Sequence, residues 1–110
     1  MWNPFDEGRT VGTQGSENGM ILRDEEHSLG ARVTLERDGY QPFSITCGIY
    51  GWMVHTRFFS SEESVVKAFE EMKDDLARIM GIIPYTDDPE VEHKVRLVDE
   101  AISNFIEKFP

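Results

Sequence analysis

Residues 43–59 read FSITCGIYGWMVHTRFF, a run dense in aromatic and β-branched residues with Tyr50-Gly51 at its centre. Such residues favour strand, and a tight turn at Tyr50-Gly51 would fold the run back on itself as a central hairpin. Upstream, Ala31, Val33 and Leu35 alternate with Arg32, Thr34 and Glu36, the period-two pattern of a half-buried strand over residues 30–37. Residues 19–25 (GMILRDE) read as a strand before it, and Asp38-Gly39 with Pro42 signals the turn that follows. The connections are short, so an antiparallel meander is the simplest arrangement.

After Phe59 the period changes. Ser60-Ser61-Glu62-Glu63 reads as a capping box, and Val65, Phe69, Met72, Leu76 and Ile79 recur at spacings of four and three, one apolar stripe of a helix. Gly81 supplies its stop. Asp88-Pro89 reads as the N-cap and first position of a second helix. Its Val91, Val95, Val98, Ile102, Phe105 and Phe109 share one face, opposite Glu92, Arg96, Asp99, Ser103 and Glu107. At about 1.5 Å per residue each helix reaches roughly 30 Å, enough to cross a small sheet. The expected fold is α+β, order ββββαα: a four-stranded antiparallel sheet (meander) followed by a two-helix hairpin packed on one face. Residues 19–110 form this single domain. Residues 1–18, rich in glycine and polar side chains, are expected as a flexible N-terminal arm, in which Trp2 and Phe5 have reason to dock.

A two-residue turn at Tyr50-Gly51 sets Ile49 opposite Trp52, Cys47 opposite Val54, Ile45 opposite Thr56 and Phe43 opposite Phe58. These eight would face the helices. Thr46, Met53, His55, Arg57 and Phe59 would then lie on the open face, beside Arg32, Thr34 and Glu36, and form the expected binding surface. A one-residue slip would turn a strand over.

Charge narrows the partners. The chain carries 21 acidic against 11 basic residues, a formal net charge of -10, which repels phosphate backbones and anionic lipid. No nucleic acid or membrane partner is expected. A protein partner is, either a basic surface or a second copy in a symmetric homodimer. Glu70-Glu71 and Asp74-Asp75 stack like charges on one helix face, a solvated surface or a patch for a basic partner. The single cysteine, the lack of an apolar run of about 18 residues and an N-terminus without a basic-then-apolar pattern lead to the expectation of a cytoplasmic protein.

Candidate chemistry is sparse. Cys47 falls among apolar neighbours, where a thiol is inert. His55 suits acid–base work, but needs an orienting carboxylate, for which Glu36 is the candidate. Glu90-x-x-His93 gives two ligands on one helical turn, but the dinuclear sites that use this spacing need a second copy of it. His27 beside Asp24, Glu25 and Glu26 reads as a solvated acidic loop. No metal or cofactor is expected. The favoured reading is a non-enzymatic protein-interaction or binding module that uses the open face of its sheet. The alternative is a small enzyme or ligand-binding domain with a pocket lined by His55, Arg57 and Thr46.

Overall fold

The computed structural model describes residues 1–110 and shows an α+β fold. In chain order its elements are β1 (Trp2–Pro4), β2 (Met20–His27), β3 (Ala31–Arg37), β4 (Phe43–Ile49), β5 (Met53–Phe59), α1 (Glu62–Gly81) and α2 (Val91–Lys108). The strands follow one another across a single antiparallel sheet in the order β1-β2-β3-β4-β5. The meander and the two helices after it agree with the sequence pattern. The strand count does not: the sheet has five strands, and the fifth comes from residues expected to form a flexible arm.

That N-terminal segment is tied to the domain at several points. Trp2, Asn3 and Pro4 pair with His27, Glu26 and Glu25, and the Trp2 ring meets the His27 ring edge-on at 5.1 Å. Aromatic burial of this kind is worth about 0.5–1.5 kcal/mol beyond area alone. Farther on, Gly12 N–H donates to the Ile21 carbonyl at 2.8 Å, Ile21 N–H to Thr13 at 2.9 Å and Tyr40 N–H to Glu17 at 3.1 Å. Periodicity is absent because the backbone turns repeatedly: Asp6, Glu7, Gly8, Gly12 and Asn18 all have positive φ.

Helix α1 lies across the sheet. Ser61 caps it by accepting the Ser64 N–H at 3.3 Å, and Ser64 Oγ returns a bond to the Ser61 carbonyl at 3.1 Å. Val65, Phe69, Met72, Leu76 and Ile79 are all buried and meet Ala31, Val33, Leu35, Ile45, Cys47 and Ile49 in one core. At about 1.5–3 kcal/mol per buried large side chain, this stripe outweighs any surface ion pair on the helix. Helix α2 starts at Val91, two residues later than Asp88-Pro89 implied. Asp88 still accepts the Glu90 N–H at 2.8 Å and Lys94 Nζ at 2.6 Å. Val98, Ile102, Phe105 and Phe109 are buried, whereas Val91 and Val95 are only half-buried. The C-terminal half of α2 therefore carries its packing.

The register of the β4–β5 hairpin differs from the expected one by a residue. Ile49 pairs with Met53, Cys47 with His55, Ile45 with Arg57 and Phe43 with Phe59, so the loop is Tyr50-Gly51-Trp52. Two-residue hairpin loops need positive φ at their first position, which tyrosine resists. In the observed loop Gly51 has φ +82° and the Ile49 carbonyl accepts the Trp52 N–H at 2.9 Å. That places glycine at the third position of a type II turn, where positive φ is required.

Candidate functional site

The one-residue change turns β5 over and divides the expected binding set. Met53, His55, Arg57 and Phe59 share a face with Cys47, Ile45 and Phe43, the side on which the helices pack. His55 Nε2–H donates to the Phe109 carbonyl, and its ring stands edge-on to Phe105 at 6.4 Å. Arg57 lies over the rings of Phe59 at 4.8 Å and Phe109 at 5.6 Å. Both side chains therefore seal β5 against the end of α2. Thr46 alone of the five remains on the open face, where its hydroxyl bonds Thr56 across the strands at 3.1 Å. The expected pocket of His55, Arg57 and Thr46 is not formed, because the sheet separates its members.

Cys47 lies on the helix side and is 2% exposed. Burial pushes its pKa up to about 12, so the thiolate needed for nucleophilic chemistry is suppressed. Glu36, the proposed partner of His55, faces the other side of the sheet. It is 1% exposed and accepts the backbone N–H groups of Glu17 at 3.2 Å and Gly19 at 3.1 Å. The acidic stretch of β2 is divided too. Asp24 lies on the open face and His27 on the helix side, against Trp2. On α1, Glu70 bonds Arg23 at 3.0 Å, and Asp75 bonds Arg78 and, at 2.9 Å, Lys108.

The open face has two unlike halves. Over β2 and β3 it is roofed by the N-terminal segment. Asp24 receives the Thr10 hydroxyl at 2.8 Å, the Thr34 hydroxyl at 3.1 Å and two bonds from Arg32 at 2.7 and 2.9 Å. This carboxylate raises the Arg32 pKa, and the guanidinium rests 3.6 Å from the centre of the Phe5 ring. A register shift between Ile21 and Arg23 brings Ile21 opposite Glu36, where it is buried, and lets Leu22 pack against the core.

Along β5 the face is uncovered, although Ser44 on β4 is buried. Its row on β5 is Val54, Thr56 and Phe58, opposite Gly48, Thr46 and Ser44. Val54 is 79% exposed and Phe58 47%. β5 has a strand neighbour on one side only. Between the two halves runs a groove of about 910 Å³, with Thr10, Thr13 and Ser16 on one wall and Thr34, Thr46 and Val54 on the sheet side. Sequence reasoning missed Val54 and Phe58 because the assumed turn set them among the buried residues. The signal for a longer loop was Tyr50 ahead of Gly51. No helix is long and apolar enough to cross a membrane. Compared with family models, with curated proteins and with solved structures, the chain matches none.

Proposed function

We propose that this protein is a non-enzymatic interaction module whose docking element is the free edge of β5 and the bare sheet face beside it. The observation that carries this reading is a seven-residue edge strand with Val54 and Phe58 exposed on the face no helix covers. An unpaired strand edge presents backbone donors and acceptors to any extended segment, and alternate side chains on the added strand read the apolar row. The candidate chemical groups of the hairpin are engaged elsewhere: Cys47 is buried, His55 is bonded to the Phe109 carbonyl and Arg57 is stacked on aromatic rings. The partner is a protein strand, since a net charge of -10 disfavours nucleic acid and anionic membranes. A lone buried cysteine suits a reducing compartment, and the cytoplasm is the proposed location.

The test is selection of random extended peptides displayed on phage. The wild-type chain should enrich peptides with alternating apolar residues, and the double variant Val54→Lys/Phe58→Lys should bind them at least about tenfold more weakly. Equal selection by both proteins would place the docking element elsewhere. A second reading rests on the groove. Its volume of about 910 Å³ lies within the range of small-molecule sites, and its mainly apolar lining with a few threonine hydroxyls suits a largely apolar ligand that carries some polar groups. This site shares Thr46 and Met53 with the expected binding set. A ligand that raises the melting temperature and loses this effect in Thr34→Val would support it.

A further inference from the structure

We infer that the strand taken up by the β5 edge is β5 of a second copy, paired antiparallel about a two-fold axis at Thr56. This rests on the reading of β5 as a docking strand and names its partner. In this register Met53 lies opposite Phe59 of the partner subunit, Val54 opposite the partner's Phe58, His55 opposite the partner's Arg57 and Thr56 opposite the partner's Thr56. All seven residues of the strand are paired, and both exposed apolar side chains gain an apolar neighbour. Opposed pairs of this kind contribute about 0.2–1 kcal/mol each. The neighbouring registers are poorer. Shifted two residues one way, Arg57 meets the partner's Arg57, a like-charge pair that opposes pairing. Shifted the other way, Phe58 and Phe59 run past the end of the partner strand.

Charge points to the same edge. Two chains of net charge -10 repel, yet β4 and β5 hold no carboxylate among their residues. The pairing therefore brings together two strands whose one formal charge is that of Arg57. The edge also lacks two of the usual protections against strand addition: β5 contains no proline, and its register with β4 runs without a shift. Because Val54 lines the groove, the partner's Phe58 would stand at that wall and lengthen it. The axis is perpendicular to the sheet, so both helical layers lie on the same side of a ten-stranded sheet. An interface made of one strand edge and two apolar side chains per copy falls at the small end of stable interfaces, and a dissociation constant on the order of tens of micromolar is expected.

Sedimentation equilibrium over roughly 1–200 μM tests the association, and cysteine cross-linking tests the register. Thr56→Cys should give a disulfide-linked dimer on mild oxidation, since opposed Cβ atoms in a ladder lie about 4.5–5.5 Å apart. Val54→Cys should cross-link at least about tenfold more slowly, because its opposite position is Phe58 of the partner subunit. The wild-type chain is the control, its Cys47 being buried. Equal cross-linking by Val54→Cys would overturn the register. A dimer that persists in Val54→Lys/Phe58→Lys would overturn the interface. A chain monomeric at every concentration would overturn self-pairing. If that monomer still selects peptides that the lysine variant rejects, strand docking stands. If it selects none, both readings fall.

Discussion

The two edges of this sheet are built in opposite ways. At one edge, β1 is three residues long and ends in Pro4, which has no N–H to offer. The amino terminus there bonds His27 Nε2 at 2.8 Å, and the adjoining open face is roofed by residues that bury Asp24 and Glu36. At the other edge, β5 runs seven residues with neither proline nor bulge, beside a face that leaves Val54 and Phe58 in water. Shortness, proline and a covering segment are the means by which sheets avoid unwanted pairing. Here all three fall on the β1 side. The contrast teaches that the apolar surface at β5 is a local feature of one edge, and it separates residues that hold the fold from residues free to meet a partner.

The largest effect should come from breaking the roofed side. Asp24→Ala removes the acceptor of Arg32, Thr10 and Thr34 together. Loss of one partner from a buried ion pair costs about 3–5 kcal/mol. Arg32 keeps 35% of its side chain exposed, so about 2–4 kcal/mol is expected in urea unfolding. A loss below about 0.5 kcal/mol would show that the roof adds no stability. Gly39→Ala should follow at about 1–3 kcal/mol. A β-carbon there would stand 2.2 Å from the Glu17 carbonyl oxygen and 2.7 Å from the Gly19 nitrogen, so backbone must move. An unchanged unfolding midpoint would mean that residues 17–19 do not press on this turn.

Much of the roof was invisible in sequence for a physical reason. Segments held by hydrogen bonds to buried carboxylates and by positive-φ turns have no hydrophobic period, and residues 5–19 are such a segment. The two aromatics of residues 1–18 were the readable part: Trp2 docks on His27 and Phe5 under Arg32. The helices and strands 2–5 were legible because burial there is periodic, as in the α1 stripe from Val65 to Ile79. The binding face was not. It depended on whether the hairpin loop holds two residues or three, and strand periodicity cannot distinguish them because both faces of β5 carry aromatic residues. Turn chemistry carried the information, since tyrosine before glycine suits a type II turn and not a primed one. With β5 turned over, His55 and Arg57 became packing residues and Val54 and Phe58 became surface.

Acid should weaken the closed edge through His27. Burial, and then the neighbouring terminal ammonium, holds its pKa below the ordinary 6.5. Below pH 6.5 the unfolded imidazole therefore takes up a proton that the folded one refuses. Stability from this group is complete above 6.5, falls as the pH drops from there to the folded pKa, and then levels off. Urea midpoints measured between about pH 5 and 8 should show this slope in the wild-type chain, and His27→Gln should reduce it. Equal slopes in the two proteins would remove His27 as the cause. Nothing comparable is expected from substitutions at Val54 or Phe58.

The smallest effect on the folded chain should be that of Val54→Lys/Phe58→Lys. Val54 is 79% exposed and Phe58 about half-exposed, so the loss should stay within about 1 kcal/mol. A larger loss measured in dilute protein would show that the open edge contributes to the fold after all, and the contrast between edges would fail. Concentration then separates stability from association. Pairing adds RT ln(1 + [L]/Kd) to the folded state, about 1.4 kcal/mol at ten times Kd. The wild-type melting temperature should therefore climb with protein concentration, while that of the double variant stays level. A climb shared by both proteins would assign the association to another surface, because the only difference between them is the apolar row of β5.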